Sequence, residues 1–213
     1  VRRLAPRALL HCDAVQAFGK LPVNVRTLDV DLLTVSGHKI HAPKGVGALY
    51  LKKGVRILPR TFGGEQQRRL RPGTEPGPLI AGLGLAAQMA VENLSQNAAH
   101  LRQLNQRLRE GAAHIPGIWV NSPEDALDCI VNLSVVGIRS EIMLHFLEEE
   151  GIYVSSGSAC AKGAKSHVLT ALGLPESRID SALRISFSRY TTSDEIDALL
   201  AALQKGMGQL RRA

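Results

Sequence analysis

VDLLTVSGHKIHAPKGVGALY, residues 30–50, is the stretch whose reading decides the fold. An apolar run, Val30 to Val35, ends in Ser36, His38, Lys39 and His41. A buried strand ordinarily runs out into Gly, Asn or Asp. This one delivers a hydroxyl, two imidazoles and an amine to the point where a strand leaves the core. In open α/β sheets that is where ligands bind. The next segment, VGALYLKKG (46–54), alternates and reads as a further strand.

Outward from this stretch, ALLHC (8–12) reads as a short strand ending at Asp13, and AVQAFG (14–19) as a helical turn closed by Gly19. The chain stays rich in Gly and Pro to about residue 78. Ile80 to His114 then reads as one long helix, with Leu94, Ala98, Leu101, Leu104 and Leu108 at helical spacing and Pro116-Gly117 at its end. Beyond it come a strand (129–135), a helix (140–151), a strand IYVS (152–155), a Gly/Ser/Ala loop, a helix (166–173) and a strand (183–188). The last helix opens with the capping box Thr192-x-x-Glu195 and carries the stripe Ile196, Leu199, Leu200, Leu203, Met207. The pattern predicts two parts: residues 1–85 from an α/β sheet domain, and 86–213 forming a connecting helix and a smaller α+β domain.

Composition narrows the function classes. The chain is 45% hydrophobic and 21% charged, as expected of an ordinary globular protein. No apolar run approaches the ~20 residues of a membrane span. Cys12, Cys129 and Cys160 are far apart, with no C-x-x-C, which points to a reducing, cytoplasmic setting and away from structural zinc. The net charge is +7, but only GGEQQRRLRPG (63–73) concentrates arginine, and aromatics are 4%, too few to stack on single strands. Direct nucleic-acid binding is not expected. The start, VRRLAPRALLHCDAV, has no initiator Met and no signal h-region and enters a strand almost at once, so the chain reads as beginning inside a domain.

A lysine that forms a Schiff base must be held out of bulk water where its amine can lose a proton. Ser and His beside it can bind a phosphate. Pyridoxal 5'-phosphate needs both, and also a carboxylate on its pyridine nitrogen. Asp13 offers the carboxylate, with Gln16 on the adjoining turn. Each feature alone has a plain structural reading: a strand-end Asp is often only a cap, and a His-Lys pair in a loop is usually solvated. VSSGSACAKGAKSH (154–167) places Cys160 among small residues with Lys162 and Lys165 nearby, and cations lower a thiol pKa. Cys12 and Cys129 sit in strand-like runs and read as packing. His41 and His38 lack further metal ligands at suitable spacing. His100 and His114 read as surface residues, His145 as packing, and His167 as the start of a helix.

Taken together, DAVQAFGK (13–20), SGHKIHAPKGVGALY (36–50), GGEQQRRLRPGT (63–74), SSGSAC (155–160) and LRISFSRYTTSDEID (183–197) resemble, in order and approximate spacing, the PLP-dependent cysteine desulfurases of the class V aminotransferase group. The resemblance covers nearly the whole chain. It implies an α/β, fold-type I PLP-dependent transferase: the C-terminal part of the large sheet domain plus a smaller α+β C-terminal domain. It implies Lys39 as the Schiff-base lysine and acid/base at the substrate Cα, Asp13 on the pyridinium nitrogen, and Gln16 at the ring hydroxyl. Ser36 and His38 hold the phosphate, Thr74 reaches the phosphate of the other subunit in a homodimer, and Lys44 is structural. Arg184 holds the carboxylate of L-cysteine. Cys160 is the nucleophile that becomes a persulfide and passes sulfur to an acceptor protein, an Fe–S scaffold or a tRNA-thiolation protein. Gln67 and Pro76 depart from the family pattern, and the short stretch from Cys160 to the next helix implies a limited swing. The family's N-terminal half has no counterpart here, so the chain is expected to be a fragment with little activity alone. Two other readings remain open: a relative acting on selenocysteine or cysteine sulfinate, and a non-catalytic scaffold of the same fold.

Overall fold

The computed structural model describes residues 1–156 and 166–210. The chain divides into two compact units, 1–96 and 97–213. In the first, β1 (His11–Asp13) pairs in parallel with β2 (Leu32–Ser36), and β2 pairs antiparallel with β3 (Gly47–Leu51). A short helix, α1 (Val25–Leu28), lies between β1 and β2, capped by the Asn24 side chain, which accepts from the Arg26 N–H. Ala14, Val30 and Leu33 form one small core beneath the sheet.

α2 (Gly77–Glu92) forms a second small core, in which Ala86 and Ala90 bury Ile40. That contact places α2 with the first unit, so the division falls at 96/97 rather than at the expected 85/86. The single long helix expected over 80–114 is in fact two, α2 and α3 (Leu94–Ala113). The break is at Asn93, whose Nδ2 donates to the Met89 carbonyl at 2.8 Å. An Asn side chain that takes a helix carbonyl competes with the ladder that would continue it.

In the second unit, β4 (Ile118–Val120), β5 (Ile130–Val135), β6 (Ser155–Ser156) and β7 (Ala182–Ser186) form an antiparallel sheet in the order β4-β5-β7-β6. Alternation sorts their residues: Val131, Leu133 and Val135 of β5 and Leu183 and Ile185 of β7 face a core shared with Leu101, Leu104 and Leu108 of α3. α4 (Ser140–Glu149) adds Met143 and Leu147, and α7 (Ser193–Gln209) adds Ile196, Leu199 and Leu203. The capping box is present, with Thr192 and Glu195 satisfying each other's backbone N–H. The other sheet face carries polar groups. Asn121 Nδ2 donates to Asn132 Oδ1 at 2.6 Å and to Ser134 Oγ at 2.7 Å, and Arg178 Nε donates to Asn121 Oδ1 at 2.9 Å. Two short helices, α5 (His167–Ala171) and α6 (Glu176–Asp180), precede β7. The strand expected over 152–155 shrinks to Ser155–Ser156. Among the described residues, no helix is long and apolar enough to cross a membrane.

Asp31, inside the apolar run, is nearly buried and pins the start of the first sheet. Its Oδ2 accepts from the Leu10 N–H at 2.8 Å and from Arg2 at 2.8 Å, and its Oδ1 lies 4.0 Å from Lys52 Nζ. The Leu10 N–H, helped by Arg2, holds the Asp31 carboxyl below the usual aspartate range, against a smaller opposing effect of burial. A depressed carboxylate stabilises the fold above its unfolded pKa, and that contribution is lost as pH falls through the folded value. Thermal unfolding followed by circular dichroism should therefore show acid destabilisation beginning below about pH 4. Asp31→Asn should unfold at lower temperature at neutral pH and show a weaker dependence on acid.

Candidate active site

The parallel pair β1/β2 positions the candidate residues of the first unit. Asp13, the last residue of β1, lies in register with Thr34 of β2, and the Ala14 N–H donates to the Thr34 carbonyl at 3.0 Å. The carboxyl ends of both strands therefore open at the same end of the sheet. From β2 the chain passes through Ser36 into a 3-10 turn, Gly37–Ile40, which carries His38 and Lys39. Ser36 Oγ and His38 Nδ1 are hydrogen-bonded at 2.8 Å. His38 is exposed and Lys39 half-buried, while Ile40 anchors the turn in the core. The turn closes with His41 at φ +66°, and the Ala42 N–H donates to the Gly37 carbonyl at 3.0 Å.

Two glycines allow this close packing. Gly47 lies opposite Ser36, and a Cβ there would stand 2.6 Å from the Val35 carbonyl oxygen. Gly19 has φ +74°, and a Cβ on it would meet Ile40 Cγ2 at 2.8 Å. Only glycine accepts that conformation without cost. The turn 14–20 is thus packed directly on the residue next to Lys39.

Asp13 is exposed, and its Oδ1 accepts from the Val15 N–H at 3.0 Å. The capping reading of Asp13 is therefore realised in part, and the carboxylate keeps acceptor capacity for a further donor. Gln16 is exposed on the turn, beside Lys20. Thr74 is exposed between a 3-10 turn, Gln66–Arg69, and α2. His11, which the sequence reading passed over, shares the Asp13 face of β1, with its Nε2 3.4 Å from Thr34 Oγ1. Imidazole two residues before the strand-end Asp was the available signal.

Arg184 belongs to the second unit, in β7 opposite Asn132 of β5 and Ser155 of β6. Its Nε is buried and has no hydrogen-bond partner among the described residues. A buried donor left unmade is costly, and a carboxylate would satisfy it. Cys160 lies outside the described residues. Cys12 is half-buried in β1 and Cys129 is buried. Two histidine expectations are corrected. His100 is half-buried and hydrogen-bonded to the Thr191 carbonyl at 2.8 Å, because α3 packs beside the loop leading into α7. His145 is exposed beside Glu148, because Met143 and Leu147, not position 145, face the core.

The donor set suits pyridoxal phosphate. It offers an amine for an aldehyde, a carboxylate for a pyridinium nitrogen, an amide for a ring oxygen, and a hydroxyl–imidazole pair for a phosphate. The orphaned Arg184 Nε suits a substrate carboxylate.

Comparison with known proteins places the chain in a class of enzyme fold. The aminotransferase class-V family profile matches residues 2–199, and the chain belongs to that family. A cysteine desulfurase of Gluconacetobacter diazotrophicus is 42% identical over 208 residues, covering 96% of this chain and 52% of the relative. The cysteine desulfurase NifS of Azotobacter vinelandii is 40% identical over 215 residues, covering 98% of this chain and 54% of the relative. A solved NifS-like protein superposes with a TM-score of 0.90 at 37% identity, covering 99% of this chain and 55% of that one. The chain therefore spans about half the length of the curated relatives it matches, and its fold is that of part of a NifS-like enzyme.

Proposed function

We propose that this chain carries the lysine- and cysteine-bearing part of a cysteine desulfurase that converts L-cysteine to L-alanine. The observation that carries the reading is the arrangement at the shared carboxyl ends of β1 and β2, where Asp13 and the Ser36–His38–Lys39 turn meet the chemistry of one cofactor.

Pyridoxal phosphate, when bound, supplies an electron sink conjugated to the substrate's amino group. Asp13 keeps the pyridine nitrogen protonated. Ser36 and His38 hold the phosphate, with Thr74 serving the phosphate of a second subunit in a homodimer. Gln16 faces the ring oxygen. Lys39 holds the cofactor covalently and then moves a proton at the substrate Cα. Arg184 grips the substrate carboxylate with two parallel N–H groups. Cys160, as thiolate, attacks the substrate sulfur: an S–S bond forms, the substrate Cβ–S bond breaks, and the bonding pair at Cβ is protonated to give alanine. The sulfur remains as a persulfide on Cys160, ready for an acceptor protein.

The test is L-cysteine turnover in the protein at its natural length. Cys160→Ala should keep the colour of bound cofactor and lose at least about a thousandfold of alanine release. Unchanged release from that variant would show that Cys160 is not the nucleophile.

A further inference from the structure

Gln16 is held by the residue that ends its own turn. Lys20 Nζ donates to the Gln16 carbonyl oxygen at 3.1 Å and to the side-chain Oε1 at 3.4 Å. An ammonium has three donors and no acceptor, so only the oxygen end of the amide can face it. The NH2 end is then turned away from Lys20. A glutamine without such a neighbour can present either end.

We propose that Lys20 is a positioning residue, which locks the Gln16 amide so that its NH2 is offered to an anionic ring oxygen of the cofactor. The inference rests on the proposed function, in which Gln16 faces that oxygen. The backbone supports it. The Lys20 N–H donates to the Ala17 carbonyl at 3.0 Å, and Gly19, at φ +74° against Ile40, turns the chain so that Lys20 folds back over Gln16. The lock therefore sits on the anchor of the turn that bears Lys39. A donor aimed at an oxygen favours its deprotonated form, and a cation behind that donor adds to the effect. Lys20 thus tunes the site through the amide without touching the cofactor.

The experiment uses the protein at its natural length, loaded with pyridoxal phosphate. It reads the pH midpoint of the bound cofactor's visible absorption. Lys20→Met and Gln16→Ala should each raise the midpoint by about half a unit to one unit. The double variant should move it no further than either alone. Lys20→Arg, which keeps the charge and the donors, should leave it in place. A shift in Gln16→Ala with none in Lys20→Met would overturn the lock and spare the reading of Gln16. No shift in either would overturn that reading together with the lock. Additive shifts would mean that Lys20 acts by its own charge and not through Gln16. A shift in Lys20→Arg as large as in Lys20→Met would reduce Lys20 to a support of the turn.

Discussion

Lys39→Ala is expected to lower L-cysteine turnover by at least about a thousandfold in the protein at its natural length. In the proposed function two tasks fall on this one amine: covalent attachment of the cofactor and proton transfer at the substrate Cα. Neither Lys44 nor Lys20 can replace it. Lys44 lies beyond the 3-10 turn and is exposed, and Lys20 Nζ is engaged with Gln16. The groups that would hold the cofactor without a covalent bond, Asp13, Ser36 and His38, are untouched by the substitution. Equilibrium dialysis should therefore still detect bound cofactor, now lost on denaturation. Turnover within tenfold of the parent would show that another residue moves the proton.

The largest effect on stability is expected from Leu133→Ala. Leu133 has no exposed surface and lies in register with Leu183 at the centre of the second sheet, with α3, α4 and α7 contributing to the same core. Truncation there removes buried methyl groups and leaves a cavity that three helices and a sheet cannot readily close, at a cost of about 3–4 kcal/mol. Trp119, the chain's one tryptophan, is on β4 of the same sheet and lies 5.5 Å from the Arg178 guanidinium. Its fluorescence during urea denaturation reports on this unit. The midpoint should fall with the slope unchanged. A loss below about 1 kcal/mol would mean that the core repacks around position 133.

The sequence was most readable where period and chemistry coincide. The strands expected over 129–135 and 183–188, the stripe of α7 and its capping box are local patterns, and they appear in the fold as expected. Lys39 stands out as a candidate because a polar cluster interrupts an apolar run, and Asp13 because it ends another. The break at Asn93 was hidden, since Leu94 continues the apolar spacing and only the backbone shows the interruption. The attachment of α2 to Ile40 was hidden too, because alanine-rich contacts leave little periodic signal. Asp31 did leave a signal, a charge inside an apolar run, but its partners Arg2, Leu10 and Lys52 are remote in sequence. The Gln16–Lys20 contact needed the left-handed turn at Gly19 before its geometry could be seen.

The most direct measurement is to load the protein at its natural length with pyridoxal phosphate, reduce it with borohydride, and map the modified peptide by mass spectrometry. The account predicts a single pyridoxyl adduct, on Lys39 within SGHKIHAPK (36–44). An adduct on another lysine, or none, would contradict the assignment of this turn as the cofactor site.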